Sequence, residues 1–311
     1  LIARHLLEHS DVTITLATRH KDKAQTFANE LNRQYASSRV TAVYADAADS
    51  TSLQTAFRDQ DLIVVAAPTT VYTEIVIRTA LETGVDYLDV QLSAEKFARL
   101  QSFAEEIKRS GRCVITEAGF HPGLPSALVR YAAAYLDIIE TAITVGYINM
   151  GKDLPYTEAV SELIDVFKNY QAQVYKNGKW TKPQSIEMRR IDMGSDISLK
   201  RCYSMFFEEL RPLPDMYPSL KEVGFFISEI HWVTDWIIMP ISWIWLKIMP
   251  KAARSIGKFL WWGMATFHKP PYRVELQIQA SGIKDGQKTN IRASVAHLDG
   301  YELTAIPVVA T

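Results

Sequence analysis

The stretch DLIVVAAPTTVYTEIVIRTALETGVDYLDV, residues 61–90, decides the fold. Residues 61–67 contain a continuous apolar run, which is typical of a strand buried on both faces of a parallel sheet. A helical pattern over residues 70–83 follows and stops at Gly84, a residue type that commonly ends helices. A second strand is predicted at residues 87–90. Strand, helix and strand in this order form the repeating unit of a parallel sheet with crossover helices.

The same alternation continues on both sides of this stretch, where apolar residues recur at strand or helix spacing. The predicted strands are residues 12–17, 40–45 and 113–116, and the predicted helices are residues 21–35, 52–57 and 94–110. Ser50 or Thr51 is expected to cap the second of these helices. The order of elements predicts an α/β fold, with a Rossmann-type doubly wound parallel sheet over residues 1–136.

A different pattern begins at residue 137 and predicts a second domain, an α+β domain over residues 137–311 with a mainly antiparallel sheet. Its predicted elements are strands at residues 138–148, 272–281 and 289–297 and a helix at residues 157–170. The tripeptide Lys284-Asp285-Gly286 between the last two strands is a hairpin turn signal.

Composition excludes several classes of protein. The chain has 311 residues, a net charge of −1 and no block of like charge, which argues against a nucleic-acid partner and leaves a small-molecule substrate. Its two cysteines, Cys113 and Cys202, are far apart, so we expect neither a disulfide framework nor a metal site. A reducing compartment, the cytoplasm, is the expected location.

Both ends of the sequence show unusual patterns. Residues 1–9 already have helical spacing without a preceding cap, and residues 304–311 are apolar to the last position. The glycine fingerprint G-x-G-x-x-G does not occur. We therefore expect that the sequence begins inside a Rossmann unit, with the first strand and its glycine-rich loop upstream, and that the second domain continues beyond residue 311.

Ligands of open parallel sheets bind beyond the carboxyl ends of the strands, so candidate cofactor residues are sought there. Thr18 and Arg19 follow the strand at residues 12–17. An arginine at this position suits the 2′-phosphate of NADP, whereas an acidic residue would suit NAD. NADP is the predicted cofactor and NAD the alternative; Arg19 as an ordinary solvated side chain is the structural alternative.

Two further strand ends suit the same dinucleotide. Asp46 follows the strand at residues 40–45, where an acid could accept from the adenine amino group; a turn residue is the alternative. Small residues after the next strand would let a dinucleotide pass close to the backbone, with core packing as the alternative. They are Ala66, Ala67, Pro68 and Thr69.

The loop EAGFHPGLPS, residues 117–126, has two glycines and two prolines in seven positions, so its backbone is tightly shaped. It follows a strand and precedes a predicted helix, which makes it a candidate for contact with nicotinamide or substrate through Gly119. His121 is a weak candidate for the catalytic acid or base. The alternative is a structural elbow.

Several segments resemble the saccharopine dehydrogenase-like oxidoreductases. They are LIARHLLEH with the following ATR, DLIVVAAPTTVY, GVDYLDV, AGFHPGLPSALVRYAA, KPPYRVELQIQASGIKDG and HLDGYELTAIP. The resemblance implies an NAD(P)-binding Rossmann domain, a second α/β domain carrying the substrate face, and a further C-terminal segment that returns to the Rossmann domain. In the lysine-pathway members an acid stands where this chain has His121, which argues against saccharopine as the substrate.

Six of the seven tryptophans lie between Trp232 and Trp262. The longest uncharged run there, residues 236–246, is too short to span a bilayer. After it, Lys247, Lys251, Arg254 and Lys258 recur at helical spacing, largely opposite Ile248, Ala252, Ile256, Phe259 and Leu260. This pattern indicates either a helix on a membrane surface or a buried interface, such as a homodimer seam or a lid.

The sequence thus favours an NAD(P)-dependent oxidoreductase with an unassigned substrate and hydride transfer at the domain boundary. The alternative function is a non-catalytic Rossmann protein that docks on lipid or a protein partner through its tryptophan-rich region.

Overall fold

The structure, a computed structural model, describes residues 1–149, 170–194 and 196–311. By its internal contacts the chain divides into two units. The first comprises Leu1–Pro122 together with Thr304–Thr311, and the second comprises Gly123–Leu303. The first unit therefore ends before residue 136, where the sequence pattern placed the boundary, and it includes the C-terminal residues of the chain.

The first unit alternates helices with parallel strands. Its strands are β1 (Ile14–Thr18), β2 (Val40–Tyr44), β3 (Leu62–Val65), β4 (Asp86–Asp89) and β5 (Val114–Ile115). Its helices are α1 (Ile2–His9), α2 (Lys21–Gln34), α3 (Ser50–Phe57), α4 (Thr73–Thr83), α5 (Ala94–Ser102) and α6 (Ala104–Ser110). Strand β1 pairs with β2, and β3, β4 and β5 form a second sheet in that order. Every one of these pairings is parallel, so the predicted α/β fold is confirmed.

Local details of this unit differ from the prediction. Asp49, rather than Ser50 or Thr51, caps α3: its carboxylate accepts a hydrogen bond from the Thr51 N–H at 3.0 Å. The helix predicted at residues 94–110 is divided at Phe103 into α5 and α6. Leu62, the first residue of β3, is 48% exposed, whereas Ile63 next to it is buried, so only part of the apolar run lies in the core.

The second unit contains one mixed sheet. Its strands are β6 (Ile138–Asn149), β7 (Tyr175–Lys176), β8 (Lys179–Trp180), β9 (Met188–Asp192), β10 (Leu199–Met205), β11 (Glu222–Ser228), β12 (Arg273–Lys284) and β13 (Gln287–His297). The main order is β13-β12-β6-β11-β10-β9, with β7 between β11 and β8. Within this sheet, of the pairings between described strands, β6 with β11 is parallel and the others are antiparallel, which confirms the mainly antiparallel sheet.

Short helices accompany this sheet. They are α7 (Leu124–Ala133), α8 (Leu213–Met216), a π-helical turn (Thr234–Ile238), α9 (Met239–Ile248), α10 (Ala253–Thr266) and α11 (Gly300–Ala310), which continues into the first unit. The helix predicted at residues 157–170 falls, except for its last residue, outside the described residues. No helix in the described ranges is long and apolar enough to cross a membrane.

The predicted hairpin is present. Strands β12 and β13 pair from Val274 and His297 down to Lys284 and Gln287. Asp285 and Gly286 between them have φ values of 49° and 72°. Two successive residues with positive φ form the tight turn whose twist matches that of the two strands, and aspartate followed by glycine is a common sequence for this turn.

Gly282 allows β12 to lie unusually close to β6, its neighbour in the sheet. The register of the two strands shifts between Ser281 and Gly282, and a Cβ atom built on Gly282 would lie 1.9 Å from the Ile138 carbonyl oxygen. A backbone atom cannot move aside as a side chain can, so a larger residue would force the strands apart.

We therefore expect Gly282→Ala to lower the free energy of unfolding by about 1–3 kcal/mol. Gly146→Ala in β6 is the matched control, because a Cβ there meets only side-chain carbons of Phe225 and Ile227 at 3.0 Å or more. Urea denaturation of both variants measures the difference. Equal stability of the two variants would show that the backbones of β12 and β6 approach each other less closely at Gly282 than the structure indicates.

Candidate cofactor site

The end of β1 presents an exposed guanidinium. Thr18, the last residue of the strand, accepts a hydrogen bond on its Oγ1 from the His20 N–H at 3.2 Å, which shapes the turn into α2. Arg19 between them is exposed and forms neither a hydrogen bond nor an ion pair with any residue that the structure describes. A guanidinium in this state can bind a phosphate group through two parallel hydrogen bonds.

Asp46 after β2 is engaged in its own turn. Its Oδ1 accepts from the Ala48 N–H at 3.0 Å, and its backbone N–H donates to Ser52 Oγ at 2.9 Å. These bonds lead the chain into α3. The arrangement favours the turn residue over the adenine ligand, since one carboxylate oxygen already has a partner.

The residues after β3 are open to solvent. Ala66, Ala67 and Pro68 are exposed, which favours the cofactor interpretation of Ala66 and Ala67 over core packing. Thr69 is half-buried and donates its N–H to the Ala67 carbonyl at 2.8 Å, which turns the chain towards α4. The same carbonyl accepts from the Gln91 side-chain amide. Small exposed residues on a fixed turn leave room for a ligand against the backbone.

A buried ion pair, which sequence reasoning missed, lies at the next strand end. Asp89 is the last residue of β4 and Lys96 lies in the first turn of α5; both side chains have 0% exposure. The Lys96 ammonium donates to the Asp89 carboxylate and to the Gln91 carbonyl. Since an unpaired buried charge is very costly, each of these two groups requires the other.

The Asp89 carboxylate also accepts hydrogen bonds from its own strand and from the residues that follow β4 and β5. Its partners are Tyr87 Oη at 2.8 Å, Thr116 Oγ1 at 2.9 Å, the Gln91 N–H at 3.1 Å and the Glu117 N–H at 3.2 Å. Burial, together with the nearby carboxylate, raises the pKa of Tyr87, so its hydroxyl stays protonated and donates. One carboxylate thus joins the ends of β4, β5 and α5. With the Gln91 amide on Ala67, it also fixes the turn after β3.

One signal in the sequence could have revealed this pair. Lys96 stands four residues before Leu100, and these two are the buried positions of α5. A lysine on the apolar face of an amphipathic helix is rarely buried without a partner. The partner itself is set by tertiary packing.

We expect Asp89→Asn to lower the free energy of unfolding of the first unit by about 3–5 kcal/mol, because it leaves the Lys96 ammonium buried without a counter-charge. Lys96→Met should cost less, since the carboxylate keeps its four other donors. The variant that carries both Asp89→Asn and Lys96→Met should lose less free energy of unfolding than the two single variants lose together. Urea titration followed by circular dichroism measures this.

Lys108→Met is the control for that series. Lys108 is an exposed residue of α6, and its replacement should change stability by no more than about 0.5 kcal/mol. If Asp89→Asn behaved like this control, the buried pair would have no structural role.

The loop at residues 117–126 has two glycines with different roles. Gly119 is buried, its N–H donates to the Pro122 carbonyl at 3.0 Å, and a Cβ there would lie 3.4 Å from that oxygen and from Thr304 Cγ2. Gly123 has a φ of 122°, a conformation that favours glycine. Gly119 thus closes a tight turn by close approach, while Gly123 supplies the conformation that starts α7.

A half-buried glutamate, also missed in the sequence, caps α7 inside the second unit. The Glu209 carboxylate accepts from the Gly123 N–H at 2.8 Å and from the Ser126 N–H at 3.0 Å. Burial raises the pKa of Glu209, and these hydrogen bonds oppose that rise. The carboxylate satisfies N–H groups that the first turn of a helix leaves unpaired.

His121 is poorly suited to acid–base catalysis near neutral pH. Burial lowers the pKa of His121 from 6.5 to about 4, so the ring is neutral at pH 7. An efficient general acid or base has a pKa near the operating pH. The environment favours the structural elbow over the catalytic role.

We expect a pH signature of this histidine. As the pH falls below about 6.5, His121 binds a proton in the unfolded chain, whereas in the folded protein it stays neutral down to about pH 4. The free energy of unfolding therefore decreases over this pH range. His121→Asn should lower the slope of the free energy of unfolding against pH by up to ~1.4 kcal/mol per pH unit in this window. Unchanged slopes in denaturation series would contradict the burial of the ring.

One group of metal-type ligands occurs in the described part of the chain, although the sequence was expected to hold no metal site. His5, Glu8 and His9 of α1 bring ligand atoms within 4.8 Å of one another. Glu8 Oε1, however, accepts a hydrogen bond from Tyr35 Oη at 2.6 Å. We assign no metal to this surface cluster.

Comparison with known proteins identifies the first unit. Residues 1–114 match the family described as Saccharopine dehydrogenase NADP binding domain. Residues 1–114 are therefore similar to the NADP-binding domains of this family. The resemblance drawn from the sequence segments is thereby confirmed, and the saccharopine dehydrogenase-type domain comprises the parallel strands β1 to β4 and the first residue of β5.

Two curated enzymes are related to a larger part of the chain. The carboxynorspermidine synthase of Vibrio cholerae is 27% identical over 252 residues, 73% of this chain and 59% of that protein. The carboxyaminopropylagmatine dehydrogenase of Synechocystis sp. is 25% identical over 195 residues, 58% of this chain and 47% of that protein. The matches thus span only about half to three fifths of the length of these relatives.

A solved structure supports the fold of both units. The apo saccharopine dehydrogenase (L-Glu forming) of Saccharomyces cerevisiae superposes with a TM-score of 0.66, covering 99% of this chain and 86% of that chain. The sequence identity is 14%, so this likeness concerns the fold alone.

Proposed function

We propose that this saccharopine dehydrogenase-type chain provides the cofactor-binding and substrate-facing parts of an NADP(H)-dependent oxidoreductase. The observation that carries the proposal is Arg19. It lies at the carboxyl end of β1, in a domain matched to an NADP-binding family, and its guanidinium has no described partner. An arginine at this strand end suits the additional phosphate that distinguishes NADP from NAD.

The residues present fit such a cofactor at successive strand ends. Arg19 would hold the 2′-phosphate, and the exposed Ala66, Ala67 and Pro68 would let the dinucleotide lie against the backbone. Asp46 would contribute through its free carboxylate oxygen at most. When bound, the nicotinamide donates or accepts the hydride.

The protein's own residues would mainly position this cofactor. The Asp89–Lys96 pair holds the ends of β4 and α5 and, through Gln91, the turn after β3. Because the polar groups of this ion pair are hydrogen-bonded within the protein, they would hold the turn after β3 in one position while the cofactor is bound. Neutral His121 would shape the loop without exchanging protons at pH 7.

We propose that the reaction takes place at a carbon–nitrogen bond. Support comes from the names of the relatives, a carboxynorspermidine synthase, a carboxyaminopropylagmatine dehydrogenase and a saccharopine dehydrogenase, two of which denote carboxylated amines. A non-catalytic binding protein is not favoured, because these relatives are named as enzymes. The substrate itself, homodimerisation and a cytoplasmic location stay predictions.

The experiment that tests the cofactor assignment uses Arg19. In the intact protein, Arg19→Glu should weaken NADPH binding by roughly 10- to 150-fold, the equivalent of one lost charge-assisted phosphate contact. NADH binding should change less than threefold, since NADH lacks the 2′-phosphate. Isothermal titration with both nucleotides measures the two affinities.

Arg33→Glu is the matched control, because Arg33 is an exposed arginine at the opposite end of α2. It should leave both affinities unchanged. Equal losses of NADPH and NADH binding in Arg19→Glu, or equal affinity for the two nucleotides in the wild type, would contradict the assignment.

A further inference from the structure

Helix α9 and the turn after it expose an unusually apolar surface. Six large side chains there are between 37% and 73% exposed, and we call them the tryptophan face: Ile241, Trp243, Ile244, Trp245, Ile248 and Met249. Isolated exposed apolar residues are normal on proteins, but a contiguous group marks a surface for interaction.

The opposite side of α9 already has its packing partners. Leu246 packs with Ile238, Ile256 and Leu260 in a small core between α9, α10 and the π-helical turn. The helix is therefore apolar on both sides, with Lys247 as its one charge. A helix of this kind is stable only when a second surface covers its outer side.

Basic residues lie within α9 and in the segment that follows it. Lys247, Lys251, Arg254 and Lys258 are exposed, and the Lys247 ammonium lies 3.5 Å from the centre of the Trp243 ring. Asp235 is the one acidic residue of the sequence between positions 231 and 269, and its carboxylate accepts from the Ile230 N–H at 3.1 Å. A chain with a net charge of −1 thus carries a run of positive charge in and directly after this apolar helix.

The structure places these residues differently from the expected single amphipathic helix. A short 3₁₀ turn, Pro250–Ala252, divides the pattern into α9 and α10. Arg254 and Lys258 remain opposite the buried Ile256 and Leu260, as their spacing predicts. The apolar surface lies mainly on α9, and most of the positive charge lies on the turn and α10.

We propose that the tryptophan face docks on an anionic lipid surface, with α9 in the plane of the membrane interface. Tryptophan rings favour this depth, and bordering lysine and arginine side chains can reach anionic headgroups. A second copy of the chain fits less well, because a two-fold contact through this face would set the same cations against each other. The proposal is independent of the cofactor assignment.

Vesicle binding tests the proposal directly. The intact protein should co-sediment with vesicles of equal parts phosphatidylcholine and phosphatidylserine, and its tryptophan emission should shift to shorter wavelength. Binding to phosphatidylcholine alone should be at least about tenfold weaker, and added salt should release the protein because it screens the headgroup charge.

Two variants separate the basic and apolar parts of the surface. Lys251→Glu with Arg254→Glu should weaken binding to the anionic vesicles at least about tenfold. Lys108→Glu with Arg109→Glu on α6 has the same change of charge elsewhere and should bind as the wild type does. Ile244→Glu should also abolish binding, whereas Ile186→Glu, at another exposed apolar position, should not.

Four outcomes would overturn the proposal. The first two are no co-sedimentation and equal binding to both kinds of vesicle. The third is vesicle binding by the Lys251→Glu, Arg254→Glu variant that equals binding by its control. The fourth is a wild-type dimer in sedimentation equilibrium that Ile244→Glu dissociates. The last result would assign the tryptophan face to a second copy of the chain.

Discussion

The buried Asp89 carboxylate is the interaction on which the strand ends of the first unit depend. It accepts hydrogen bonds from five donors, contributed by β4, the loop after β4, the residues that follow β5, and α5. A buried charge is tolerated only when it is fully paired, so these elements are held in one arrangement. The alternative, a strand end free to shift, would leave the Lys96 ammonium without a partner in the protein interior.

Rigid support and open surface have complementary roles at this edge of the parallel strands. The Asp89 cluster and the turn at Ala67 have their polar groups paired within the protein, whereas Arg19 has no described partner and Ala66 and Pro68 are exposed. A binding site needs exposed groups that can contact the ligand, and it needs a rigid backbone that holds those groups in place. This division of roles suits a domain that binds a nicotinamide dinucleotide.

Repeating features of the fold could be predicted from the sequence, and pairings between distant residues could not. Apolar spacing and Gly84 predict the strand–helix–strand units, and Asp285-Gly286 predicts the hairpin, because these signals are local. The Asp89–Lys96 pair depends on how α5 packs against β4.

We propose that the first unit binds NADP at the carboxyl ends of its strands. A crystal structure of the intact protein with NADPH tests it most directly. The account predicts the 2′-phosphate within hydrogen-bond distance of the Arg19 guanidinium, with the dinucleotide passing along Ala66, Ala67 and Pro68. A nucleotide whose 2′-phosphate contacts other residues, with Arg19 still in solvent, would contradict it.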